Sequence, residues 1–100
     1  MVPKNRRPIT PGKVLRDDFV EPLKLTQGKV AEALDVDRTT INEIMNDRRS
    51  ITPEMALRLG HSTETSPEYW MRLQLAVDLY DAMHSPAKEE VERLPLLVAS

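Results

Sequence analysis

The sequence predicts a small all-α domain of five helices followed by a short C-terminal extension. Three observations carry that prediction. Thr10-Pro11, Thr52-Pro53 and Ser66-Pro67 each pair a capping hydroxyl with a proline suited to the first helical position. The segments that follow carry apolar residues at helical rather than alternating spacing. Aromatic residues are only 4% of the chain and β-branched strand patterns are sparse, so sheets have little to build on.

The elements can be taken in order. Residues 1–8 form a basic arm, the main domain is expected over 9–84, and 85–100 form the extension. Pro11 starts the first helix, which carries Val14, Leu15, Phe19 and Val20 inward and ends near Pro22. Leu23 and Leu25 are expected to pack the link to the next unit.

Residues 26–46 read TQGKVAEALDVDRTTINEIMN and hold the most informative pattern. Counting Gln27 as the first position, the fifth is Ala31, small enough for a second helix to cross closely. The ninth is Asp35, in a turn that goes left-handed and that aspartate tolerates. The fifteenth is Ile41, which must face the first helix of the pair, while Val30, Leu34, Val36 and Ile44 fill the other inward positions. Thr26 and Asp37 are the expected N-caps. This is a helix-turn-helix pattern. Arg38, Thr39, Asn42, Glu43 and Asn46 remain on the outer face of its second helix, as suits a helix that reads base edges in the major groove. The bland alternative is a helical hairpin with no role in DNA recognition.

DRRSITPE then forms a loop, and Thr52 caps a fourth helix whose apolar content is Met55, Ala56, Leu57 and Leu59. GHSTET, residues 60–65, reads as a break. The fifth and longest helix carries two apolar faces. One holds Tyr69, Trp70, Leu73, Ala76, Val77 and Tyr80, the other Met71, Leu75, Leu79, Ala82 and Met83. Arg72, Gln74, Asp78 and Asp81 form a narrow polar stripe between them. A small domain covers one such face, so the other is expected to meet a second copy of the chain. Pro86 ends this helix, Ala87 to Arg93 reads as a charged turn, and the apolar LPLLVA is expected to pack on a dimer mate or partner, with an edge strand as one way to do so. The expected dimer contacts are Met71, Leu75, Leu79, Met83, Leu96 and Leu97.

Composition narrows the function. One hundred residues allow one domain with its own core. With no cysteine there is no disulfide framework or thiol metal site, which fits a reducing cytoplasm. No apolar run reads as a signal peptide or membrane span. The net charge of −2 divides unevenly: residues 1–50 carry ten Lys/Arg against eight Asp/Glu, and 51–100 carry four against eight. The basic half coincides with the helix-turn-helix, and the acidic half is free for a basic partner. No Ser/His/Asp grouping, phosphate loop or cysteine nucleophile stands out, so neither catalysis nor a cofactor is expected. Asp17 and Asp18 are adjacent and point in different directions, which makes them a solvated face rather than a paired site. His61 and His84 lie far apart with no ligand cluster near them, so no metal site is expected.

The chain resembles the HigA/VapI-type antitoxins, a branch of the xenobiotic-response-element helix-turn-helix group, over roughly residues 9–83. The matching segments are ITPGKVLRDDFVEPLKLTQ, AEALDVDRTTINEIMNDRRSITPEMALRL and TSPEYWMRLQLAVDLYDA. It departs at His61 to Glu64, where related chains usually carry an aromatic or aliphatic residue and a glycine. The resemblance implies a five-helix, lambda-repressor-like domain. It further implies a homodimer that neutralises a HigB/RelE-like mRNA interferase toxin and represses its own operon at a palindromic operator.

Carried over by position, the resemblance gives Arg38 a guanine or phosphate, Asn42 or Asn46 an adenine, and Thr39 or Thr40 a thymine methyl or phosphate. Glu43 could accept from cytosine or form a solvated salt bridge. Thr26, Gln27, Lys29, Arg48 and Arg49 are phosphate candidates. Lys4, Arg6 and Arg7 could follow phosphates or grip the toxin, and a merely soluble tail explains them equally well. The alternatives are a stand-alone transcription regulator and a protein-interaction module that has lost DNA binding.

Overall fold

A computed structural model describes residues 6–98, so Lys4 and the start of the arm lie outside the described residues. The order is α1 (Pro11–Val14) running directly into a π-helical segment (Leu15–Val20), then α2 (Gln27–Leu34), α3 (Arg38–Met45), α4 (Pro53–Ser62), α5 (Pro67–Met83) and α6 (Ala87–Glu92). There is no strand among the described residues, and the all-α expectation holds.

The helix starts follow the local chemistry. Thr10, Thr26, Thr52 and Ser66 have extended backbones, and their side-chain oxygens accept from the amides of Lys13, Lys29, Met55 and Tyr69 at 3.1–3.2 Å. Pro11, Pro53 and Pro67 follow three of these caps. Asp37 differs: it occupies the N-cap of α3 but its side chain makes no capping bond.

The core lies where α1, α2, α3, α4 and the first half of α5 converge. Trp70, Ile41, Ile44 and Leu59 are its largest fully buried side chains. The Trp70 indole N–H donates to Thr65 Oγ1 at 2.9 Å, and the ring meets Tyr69 edge-on at 5.5 Å between centroids. The end of α4 abuts the start of α5 so closely that a Cβ on Gly60 would fall 2.7 Å from Pro67 N.

Several expectations need correction. The first helix winds as a π-helix over its second half, with the Glu21 amide reaching back to Arg16 O. Buried Leu15 and Val20, five residues apart, suit that wider turn. Leu23 and Leu25 do not fill the link. They stay exposed beside an apolar groove lined by Leu15, Phe19, Val30 and Leu34. Leu57 is exposed, and α4 runs on through Ser62, so the break is confined to the turn before Ser66. Gln74 is buried rather than part of a polar stripe: its Oε1 accepts the Ile51 amide at 2.8 Å and its Nε2 donates to Asp78 at 2.9 Å. Tyr69 and Ala76 are exposed, so the buried face of α5 is built on Trp70, Leu73, Gln74 and Val77. The charged turn after Pro86 is the helix α6, and Leu94 to Val98 form no strand.

The end of α5, α6 and the segment beyond them project from the core. The molecule measures 54 × 25 × 24 Å, and its radius of gyration is 16.5 Å. A compact chain of this length has about 13 Å.

Candidate nucleic-acid interface

The turn between α2 and α3 shows the geometry that its sequence implies. Ala31 and Ile41 are buried where the two helices cross, with Val30, Leu34 and Ile44 inward and Val36 half-buried. Asp35 is left-handed at φ 53°, ψ 51°, and its amide and that of Val36 return to Glu32 O and Ala31 O. With that inner face committed to the core, α3 turns Arg38, Thr39, Asn42 and Asn46 to solvent.

The candidate residues are not independent of one another. Asn42 Nδ2 donates to Gln27 Oε1 at 3.2 Å, joining the start of α2 to the middle of α3. Asn46 Nδ2 donates to Asn42 O at 2.8 Å. Glu43 Oε1 accepts from Arg49 Nη2 at 2.6 Å and Nε at 3.1 Å, so Glu43 forms a salt bridge in this structure. Thr26 Oγ1 accepts from the Lys29 amide, which leaves its O–H able to donate. Thr40 is half-buried and borders a cleft shared with Val36, Thr52 and Met55 rather than the outer face. Arg48 and Arg49 are exposed and border a polar cleft with Asp47 and Asp78. Arg7 also borders it and is already paired: Nε and Nη2 reach the two carboxylate oxygens of Asp81 at 3.0 Å each. The bond from Arg7 holds the Asp81 carboxyl below the ordinary carboxylate range.

Three positioning features carry no local sequence signal. Arg58, on α4, donates from Nη1 to Leu34 O at 2.8 Å and to Asp35 O at 3.3 Å, and from Nη2 to Glu54 at 3.1 Å. Arg16 Nη1 donates to Met45 O, the last carbonyl of α3, at 3.1 Å. Gly12 lets α1 cross the end of α3 at backbone contact, because a Cβ there would overlap Ile44 O and lie 2.8 Å from Asp47 Oδ1. In sequence, Glu54 and Arg58 look like an ordinary surface pair, and Arg16 like part of a basic half.

Asp17 is paired with Lys13 at 2.7 Å and Arg16 at 3.3 Å, and the Lys13 bond chiefly lowers its carboxyl pKa. Among the described residues no group of three or more His, Asp or Glu is placed to hold a metal ion, and no helix is long and apolar enough to cross a membrane.

The helix-turn-helix family pattern matches residues 18–70, more than half of the chain. The chain belongs to the helix-turn-helix family. A Haemophilus influenzae protein named an uncharacterized HTH-type transcriptional regulator is 41% identical over 80% of this chain and 75% of its own length. Antitoxin HigA-1 of Vibrio cholerae is 34% identical over 94% of this chain and 89% of its own. The solved structure of Pseudomonas aeruginosa antitoxin HigA with the higBA promoter superposes with a TM-score of 0.83 at 36% identity, covering 92% of this chain and 100% of that one. These relatives place the chain in the HigA-type branch of the family, which consists of regulators rather than enzymes.

Proposed function

We propose that this chain is a sequence-specific DNA-binding antitoxin that represses its own operon and neutralises a HigB/RelE-like mRNA interferase toxin. The observation that carries the reading is the bare outer face of α3, Arg38, Thr39, Asn42 and Asn46, on a fold that superposes nearly end to end with an antitoxin solved on its promoter. Arg38 and the Asn42–Gln27 pair read base edges, while Thr26, Lys29, Arg48 and Arg49 follow the backbone. Thr40 and Glu43 support α3 more than they read.

The chain acts as a homodimer in the bacterial cytoplasm, through a 9–84 domain that needs no cofactor. Leu75, Leu79 and Met83 support the dimer: they are 57%, 53% and 58% exposed along one side of α5. Leu96 and Leu97 lie bare beyond them, and Met71 is partly buried against the core at the other end. Two-fold symmetry calls for a palindromic operator with half-sites roughly 34 Å apart, or a multiple of that.

The test is co-expression with the product of the adjacent small basic open reading frame. Rescue of growth together with co-purification supports the antitoxin reading. No toxicity and no complex favours a solitary repressor, the reading suggested by the Haemophilus influenzae relative's name. A mobility shift on the upstream DNA checks the recognition surface. Arg38→Ala is expected to lower specific affinity by roughly 1–3 kcal/mol, and unchanged affinity would remove Arg38 from it.

A further inference from the structure

We propose that Arg58 is a positioning residue for DNA recognition: it fixes the turn before α3, and so the tilt of the reading helix, without touching DNA. This rests on the DNA-reading function proposed above.

α3 lacks several of the features that fix a helix by itself. It is eight residues long, too short to be stable alone. Its N-cap, Asp37, makes no side-chain capping bond. The residue that turns the chain into it, Asp35, is left-handed without being glycine, a conformation that side chains disfavour. The start of α3 is therefore weakly determined by its own sequence.

Its far end is not. There Met45 O is held by Arg16, and the backbone rests on Gly12 of α1. Ile41 and the Asn42–Gln27 bond hold the middle of α3, so what is left to shift is its first turn, and the amplitude of that shift is set at the turn before it. Arg58 acts at that point. One guanidinium nitrogen bridges Leu34 O and Asp35 O, the two carbonyls bracketing the start of the left-handed turn, and Glu54 holds the other side of the fork. The positive charge also lies at the C-terminal, negative end of the α2 dipole. Lysine, a single point charge, cannot hold both carbonyls and Glu54 in that fixed plane.

Arg58→Lys keeps the charge and removes the fork, so it separates the two roles. The first readout is amide hydrogen exchange in the free protein. The Val36 and Ile41 amides, bonded to Ala31 O and Asp37 O, are expected to exchange about tenfold faster in Arg58→Lys, with α5 unchanged. Adding Asp35→Gly, which relaxes the turn, is expected to restore part of that protection. Unchanged exchange at Val36 and Ile41, or equal acceleration in α5, would overturn the proposal.

The second readout compares a duplex from immediately upstream of the coding sequence with a scrambled duplex, at several salt concentrations. The preference for the first is expected to fall about tenfold at an unchanged salt slope. In Arg58→Ala, which removes the charge, a slope reduced by about 1 would make Arg58 a phosphate contact and overturn the proposal. If the unaltered chain does not discriminate between the duplexes, the operator reading fails, and the exchange measurement alone decides what Arg58 does.

Discussion

Alanine is a better helix former than glycine by about 1 kcal/mol, yet Gly12→Ala is expected to destabilise this protein. The added Cβ would overlap Ile44 O and lie 3.1 Å from Ile44 C and 2.8 Å from Asp47 Oδ1. Ile44 O cannot swing away without loss, because it accepts the Asp47 amide at 3.1 Å. The α1 and α3 backbones must then separate by on the order of 1 Å to restore ordinary contact. Overpacking of this kind costs about 1–3 kcal/mol. A Cβ forced against backbone takes the upper part of that range, about 2–3 kcal/mol, so set against the propensity gain the net loss is about 1–2 kcal/mol, with the melting point falling by roughly 4–8 °C per kcal/mol in a domain of this size. Urea denaturation followed by the fluorescence of the fully buried Trp70 measures it. Gly28→Ala is the internal control. A Cβ there meets only Thr26 Oγ1 at 3.8 Å, so this variant is expected to gain up to about 1 kcal/mol. The reasoning is refuted if Gly12→Ala is as stable as the parent, or if the two substitutions shift stability in the same direction.

Three further outcomes are expected. Gln74→Leu strands the buried Ile51 amide and should lower stability by about 1–3 kcal/mol in the same urea assay, so an unchanged midpoint would count against the role given to Gln74. Glu64 sits at φ 54°, and Glu64→Gly should raise stability by about 1 kcal/mol in a thermal melt, with a decrease showing that the Glu64 side chain matters more than its backbone. Asp81 should titrate below the ordinary carboxylate range by carboxyl NMR and return to it in Arg7→Ala. Because its folded pKa is depressed, the pair's contribution is present above the unfolded carboxylate value and is lost as pH falls through the folded one. An Asp81 titration that ignores Arg7→Ala would mean the pair does not form in solution.

The parts legible in the sequence are those governed by chemistry within a few residues. A hydroxyl before a proline marks a helix start where apolar residues at helical spacing follow, so the starts at Thr10, Thr52 and Ser66 can be read directly. Ala31, Asp35 and Ile41 are legible for a related reason: two helices crossing after a short turn impose one small residue, one left-handed residue and one inward residue at fixed intervals. The parts not legible depend on neighbours distant in the chain. Gln74 reads as surface until Ile51, from the loop before α4, offers an amide to its carbonyl. Arg58 meets the turn across 23 or 24 residues, and Arg16 meets Met45 across 29. The π-helical winding after Val14 is likewise set by what Leu15 and Val20 pack against, because a local apolar pattern does not distinguish it from an α-helix. α6 fails for a different reason: six mostly charged residues with none buried lack the apolar periodicity that marks a helix. On the outer face of α3, the residue types indicate which side chains face solvent but not the Gln27–Asn42 and Glu43–Arg49 bonds that join them.

The projection of the end of α5 and of α6 from the core has a hydrodynamic consequence. A particle 54 Å long and about 25 Å across drags more solvent than a sphere of equal mass and tumbles anisotropically. On a gel-filtration column such a monomer elutes ahead of its mass. A dimer joined along α5 would be a stouter object, so pairing would shift the elution volume by less than the doubled mass implies. Sedimentation velocity, which resolves friction from mass, would distinguish an elongated monomer from a compact pair.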